Sequence, residues 1–304
     1  MRVGGQAVME GVLMRSPNFW GMAVRTPAGE LDLRAERFRS VTRRSKLFRL
    51  PIIRGALSLG ETLWLGMKAL TISTNVALGE EEDLSKKEIA LTLGFAVVLG
   101  FGLFLVAPVL GTKGIGSFLG HTIENPVLFN LVEGALRIMI FIAYLLGITL
   151  ISKDVKRFFA YHGAEHKAIK VYERGEDLVP ENARKLDTSH VRCGTSFVLY
   201  VLVLSILIFS LLGVEGWLYM VLSRLIVIPL VAGLAFEFIM WSARHQENPI
   251  VQGLVWPGLQ LQKLTTREPT DDQVGVAMAS LKKVLSMEEE AKIRPDEATN
   301  KLVI

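Results

Sequence analysis

Cysteine is almost absent from this 304-residue chain, with Cys193 the single example. No intrachain disulfide can form, which suits a reducing compartment and leaves the thiolate free to act as a ligand. The opening MRVGGQAVMEGVLMR has no continuous apolar core, so no secretory signal peptide is expected. The stretch Gly4-Gly5-Gln6-Ala7-Val8-Met9-Glu10-Gly11 is glycine-rich but lacks the Gly-Lys-Ser/Thr ending of a P-loop. It is read only as flexible backbone able to approach another element. No internal repeat is visible, so the inverted-repeat signature of many transporters is missing. Charge of one sign is scarce too: 34 Lys and Arg face 30 Asp and Glu, for a net charge of +4. In an apolar chain that slight basicity reads as loops beside anionic headgroups, and nucleic acid is not expected as a partner.

Apolar residues are what the chain has in excess. Half of it is hydrophobic and the mean hydropathy is +0.38, and the excess lies in four runs of bilayer-crossing length: 89–110, 127–152, 196–212 and 217–241. The third is short and the turn after it brief, so the last two read as a transmembrane hairpin. Lys and Arg number fourteen in residues 1–88, nine in 153–195 and eight in 242–304, against Lys113 alone in 111–126. With four spans, this places both termini and the 153–195 loop in the cytoplasm. The expected fold is therefore an all-α polytopic membrane protein embedded in the lipid bilayer.

Residues 1–49 read as a cytoplasmic unit with a small β element, strands falling at 11–15, 22–25 and 30–34 between turns rich in Ser, Pro, Asn and Gly. Residues 50–78 carry Arg54, Glu61 and Lys68 at seven-residue spacing, which puts the three charges near one helical face. An amphipathic helix on the membrane or against the bundle is expected there, with a fifth span as the rival. The transmembrane domain covers 89–241. In the cytoplasmic tail 242–304, Pro269-Thr270-Asp271-Asp272 caps a helix to about Met287, and the chain after Arg294 reads as loose.

The sharpest chemical signal is Tyr161-His162-Gly163-Ala164-Glu165-His166-Lys167, after the second span. If the helix continues through it, His162 and His166 stack at i and i+4, close enough for both imidazoles to reach one ion. H-x-x-E-H is also the inverted-zincin pattern, in which the glutamate, here Glu165, serves as general base. His190 and Cys193, three apart just before the third span, offer further N and S ligands. All four together make a closed structural set, whereas three leave a position for water. Gly163 inside a helix is unfavourable by about 1 kcal/mol, so it argues against the helix or for close packing. Glu133 and Arg137 (i, i+4) suit an internal ion pair in the second span, and Glu237 is a further carboxylate within reach of the histidine loop. His121 has no evident partner.

With these residues in hand, the chain resembles the YqhQ-like bacterial membrane proteins. The likeness rests on Gly4 to Val12, on His162-Gly163-Ala164-Glu165-His166-Lys167, on Arg192-Cys193-Gly194-Thr195-Ser196-Phe197 and on Leu264-Thr265-Thr266-Arg267-Glu268-Pro269. It departs from the group's pattern at Val191, where the group has proline. The resemblance implies a bacterial inner-membrane location and the group's standing label of predicted metal-dependent enzyme.

Three functional classes follow. The first is a hydrolase at the cytoplasmic membrane surface, with Zn²⁺ or another divalent transition metal on His162 and His166 plus His190 or Cys193, and Glu165 as base. A peptide or lipid-headgroup bond is its natural substrate. The second is a non-catalytic scaffold, assisting assembly of other membrane proteins, in which a metal staples the loop. The third is a transporter or channel using Glu133, Arg137, Arg224 and Glu237.

Overall fold

The computed structural model describes residues 3–79, 86–120, 123–212 and 216–293. His121, the side chain of Arg224 and the tail from 294 lie outside the described residues. Among the described residues, four strands, β1 (Gly4–Val8), β2 (Gly11–Arg15), β3 (Phe19–Arg25) and β4 (Leu31–Arg37), precede ten α-helices. The helices are α1 (Ile53–Leu78), α2 (Lys86–Phe101), α3 (Ala107–Phe118), α4 (Pro126–Ile151), α5 (Lys153–Glu173), α6 (Pro180–Arg184), α7 (Gly194–Leu212), α8 (Gly216–Ser242), α9 (Pro249–Thr265) and α10 (Asp271–Ile293). The chain is thus mostly helical, with a small N-terminal antiparallel sheet.

The strands form a meander in the order β1-β2-β3-β4. The expected run 11–15 is β2; 22–25 is the second half of β3; and 30–34 begins one residue early and ends before β4 does. The strand not expected is β1, where the glycine-rich start pairs in register with β2 from Gly4↔Arg15 to Val8↔Gly11. Both faces of the sheet are covered. Val12, Met14, Phe19 and Ala23 pack with Tyr161, Ala164 and Ala168 of α5 and Val274, Ala277 and Leu281 of α10. Leu13, Trp20, Met22 and Val24 pack with Leu65 and Ala69 of α1 on the other face. Burial on both faces is why β2 reads Gly-Val-Leu-Met without the polar alternation of a half-exposed strand.

The charges of α1 each meet one opposite charge: Arg54 pairs with Glu237 of α8 at 2.6 Å, Glu61 with Arg15 of β2 at 2.8 Å and Lys68 with Glu36 of β4 at 2.6 Å. Seven-residue spacing thus docks the helix along the sheet and α8, while Leu63, Trp64 and Met67 stay exposed. Glu237 is thereby committed to Arg54, away from the histidine loop.

Among the described residues, three helices are long and apolar enough to cross a membrane: Ala90–Phe118, Pro126–Ile151 and Gly194–Leu212, with mean hydropathies of 2.5, 2.1 and 2.5. The first joins α2 to α3 through a π-helical turn at Gly102–Val106 and runs well past the expected end at 110. No more than 28% of any of these apolar windows is buried, so their surfaces suit hydrocarbon better than water. In the fourth expected span, the described apolar stretch is the shorter Ile226–Ser242. Between α4 and α7, Asn130 donates to the Phe209 carbonyl at 3.1 Å, and buried Glu133 pairs with buried Arg137 along α4.

The second span ends at Ile151, close to the expected 152, and Ser152 turns extended (φ −105°, ψ 124°), its hydroxyl accepting the Val155 N–H to cap α5 as a new helix that carries the histidine motif. At the other end, Thr270 and Gln273 form a reciprocal cap for α10, each side chain accepting the other's backbone N–H. That helix runs to Ile293, past the expected Met287.

Candidate metal centre

Because α5 is helical throughout, His162, Glu165 and His166 share its inner face at i, i+3 and i+4. Gly163 lies on an adjacent, crowded flank of the helix. A β-carbon there would sit 2.2 Å from the Arg267 carbonyl oxygen, and the Arg267 N–H donates to the Phe159 carbonyl at 2.9 Å. The glycine therefore reports close packing of the α9–α10 connection on α5, and its helical penalty is offset by that contact.

The packing also orients the imidazoles. His162 Nδ1 lies 2.8 Å from the Thr265 carbonyl, and His166 Nδ1 is held by the Thr188 carbonyl. A carbonyl only accepts, so each Nδ1 carries the proton, and in the neutral imidazole each Nε2 then offers a lone pair. Cys193 closes the group, its Sγ 3.4 Å from His162 Nε2. The donor atoms of His162, His166 and Cys193 all lie within 4.8 Å of one another. Cys193 precedes the first turn of α7, where its sulfur accepts the Thr195 N–H and its carbonyl the Phe197 N–H. Imidazoles anchored through Nδ1 on carbonyls, with Nε2 turned to a thiol, form the arrangement that an N₂S metal site requires.

Glu165 stands beside the group, its carboxylate 3.4 Å from His166 Nε2. It is fully buried and accepts the Gly5 backbone N–H from β1; burial pushes its carboxyl above the usual range, against the pull of His162, His190 and Arg192. A cavity of about 80 Å³ lies between these side chains and the Val3-Gly4-Gly5 wall, room for an ion and very few waters.

His190 borders the same cavity but is not among the clustered donors. Its Nδ1 accepts the Arg192 N–H at 3.3 Å and its Nε2 faces Glu173 at 3.3 Å, so both ring nitrogens are in use. Burial holds this imidazole below its ordinary pKa, against the pull of Glu173. The His190 hydrogen bond in turn holds the Glu173 carboxyl below its own usual range.

Several supporting groups escape sequence reasoning. Gln262 of α9, fully buried, accepts the His190 N–H and donates to the His190 carbonyl and the Ser196 hydroxyl, clamping the loop that carries Cys193. The Thr188 and Thr265 carbonyls carry no side-chain signature. The one available pointer was the Leu264–Pro269 block of the family likeness, which includes Thr265.

A sheet-bearing helical protein with three membrane-length apolar helices and a His₂Cys cluster defines the class. The chain belongs to the family described as protein of unknown function (DUF1385), whose profile matches residues 50–287. It is also 30% identical over 299 residues to the uncharacterized protein YqhQ of Bacillus subtilis (strain 168), covering 94% of this chain and 92% of that one. The resemblance to the YqhQ-like group therefore holds along nearly the whole chain. No solved structure matches.

Proposed function

We propose that this protein is a metal-dependent hydrolase of the bacterial inner membrane, with four spans, both termini cytoplasmic and its site at the cytoplasmic surface. His162, His166 and Cys193 are the ligands, and Glu165 is the general base. The observation that carries this reading is the pair of carbonyl-anchored imidazoles that share a cavity with the chain's single thiol, which lies 3.4 Å from His162 Nε2. Three protein donors are the complement of a catalytic site, which keeps one coordination position open.

Zn²⁺ or another divalent transition metal bound there supplies Lewis acidity, polarising a substrate and making water nucleophilic near neutral pH. The chain's own residues do the rest. The Thr265 and Thr188 carbonyls hold the imidazoles in register. Glu165, its carboxyl raised by burial, takes the proton of the attacking water and returns it to the leaving group. His190 and Arg192, which line the cavity, are each paired with Glu173. The transport reading is disfavoured because three of the four charges it uses are held in ion pairs, Glu133 with Arg137 and Glu237 with Arg54.

A second reading, a non-catalytic scaffold stapled by its metal, draws on the small volume of the cavity. Elemental analysis of purified protein tests the shared premise. Wild type should carry about one equivalent of a transition metal, lost in His162→Ala and His166→Ala. Cys193→Ser should lower retention and shift any cobalt-substituted absorption away from thiolate character. Wild type free of metal under metal-replete conditions would overturn the proposal.

A further inference from the structure

A second cleft of about 440 Å³ adjoins the metal cavity, sharing Val3, Gly4, Gly5 and Arg192 with it. Its lining includes three arginines, Arg15, Arg43 and Arg192, and no carboxylate. Arg15 donates once to Glu61, Arg43 once to Asn18, and Arg192 to Val3 and Glu173. At least three of the five N–H donors on each guanidinium are therefore uncommitted. Hydroxyl side chains from Ser58 and Thr62 of α1 face the same space, and Phe236 and Met240 of α8 supply an apolar wall. Next to the cleft on α1, Leu63 and Trp64 are 60% and 61% exposed, the kind of amphipathic anchor that settles at a headgroup layer.

We infer that this cleft binds the phosphate of an anionic glycerophospholipid headgroup. Arginine forks match phosphate oxygens in geometry and charge. The mixed lining, arginine and hydroxyl together with Phe236 and Met240, suits a ligand that carries both an anionic group and an apolar part. Free phosphate satisfies the arginines but leaves the apolar wall without a partner. The choline of a zwitterionic headgroup would meet the guanidiniums with like charge. The inference rests on the proposed hydrolase only for its catalytic sense, in which an anionic phospholipid is the substrate class; binding stands without it.

The test is calorimetric titration of the full-length protein in detergent with dihexanoyl phosphatidylglycerol, dihexanoyl phosphatidylcholine and inorganic phosphate. Phosphatidylglycerol should bind about tenfold more tightly than phosphatidylcholine and be competed by phosphate, and Arg43→Gln should weaken it about tenfold. Arg43 is exposed and held by a single hydrogen bond to Asn18, so its replacement leaves the core intact; Arg192→Gln should act in the same direction. Equal affinity for the two lipids, or an unchanged Arg43→Gln, overturns the inference. Phosphate binding as tightly as the lipid also overturns it, assigning the cleft to the free anion. His162→Ala separates the two readings, because it should lose metal while keeping its phosphatidylglycerol affinity.

Discussion

Gly5 shows how a single residue shapes the centre. A β-carbon at this position would lie 2.7 Å from Glu165 Cγ and 2.8 Å from the Leu13 carbonyl. One contact is side chain and the other backbone, so relaxation on one side does not relieve the other. Gly5→Ala is expected to destabilise the protein by about 1–3 kcal/mol through overpacking and to push Glu165 into the cavity, reducing metal retention. Thermal unfolding and metal content of the purified variant, read together, check this. A variant matching wild type in both would show that β1 does not wall the centre. The His162/His166 pairing was legible in the sequence because a helix places i and i+4 together whatever surrounds it. The carbonyls that orient the rings were not, since any residue type supplies a carbonyl.

The docking of α10 on the sheet turns on Glu288 at the level of elements. Its carboxylate accepts the Ser16 hydroxyl at 2.7 Å and both the backbone N–H and side-chain amide of Asn18 at 2.8 Å. Burial alone would raise this carboxyl, but the hydrogen bonds from Ser16 and Asn18 prevail and hold it below the usual glutamate range. A carboxyl depressed in the folded state stabilises the fold above its unfolded pKa, about 4.3. That contribution fades as pH falls below this value and is gone once the folded group is protonated. Between pH 7 and pH 3, wild type should therefore lose more stability than Glu288→Gln. Parallel acid-unfolding curves followed by Trp fluorescence would sink the assignment. The β2–β3 part of the sheet was readable from its turns and apolar runs. β1 was not, because its glycines carry no strand propensity and its place is set by pairing with β2 and packing on α5.

For the whole molecule, the distribution of lysine and arginine predicts a topology that fusion reporters can read. Alkaline phosphatase joined between α3 and α4, in residues 119–125, should be active outside the cytoplasm, and green fluorescent protein joined after 293 should fluoresce inside. Phosphatase activity at both positions would contradict the four-span arrangement. The three long apolar helices and the covered sheet then act as one body, with α1 holding the sheet against α8 through Arg54, Glu61 and Lys68.

Local physics settled much of this protein from the sequence alone. Apolar runs of bilayer length, the period of the α1 charges and the helical spacing of the histidines each depend on residues a few positions apart. Gly163 was already suspect in the sequence as a sign of close packing, and Arg267 proved to be what packs on it. Tertiary structure decided which donors converge. Cys193 joins the two histidines because Gln262, about seventy residues along, clamps its loop, while His190 turns to Glu173 and Arg192. Glu237, open to either role in the sequence, goes to Arg54. Those outcomes depend on distances between segments far apart in the chain, which residue spacing does not encode.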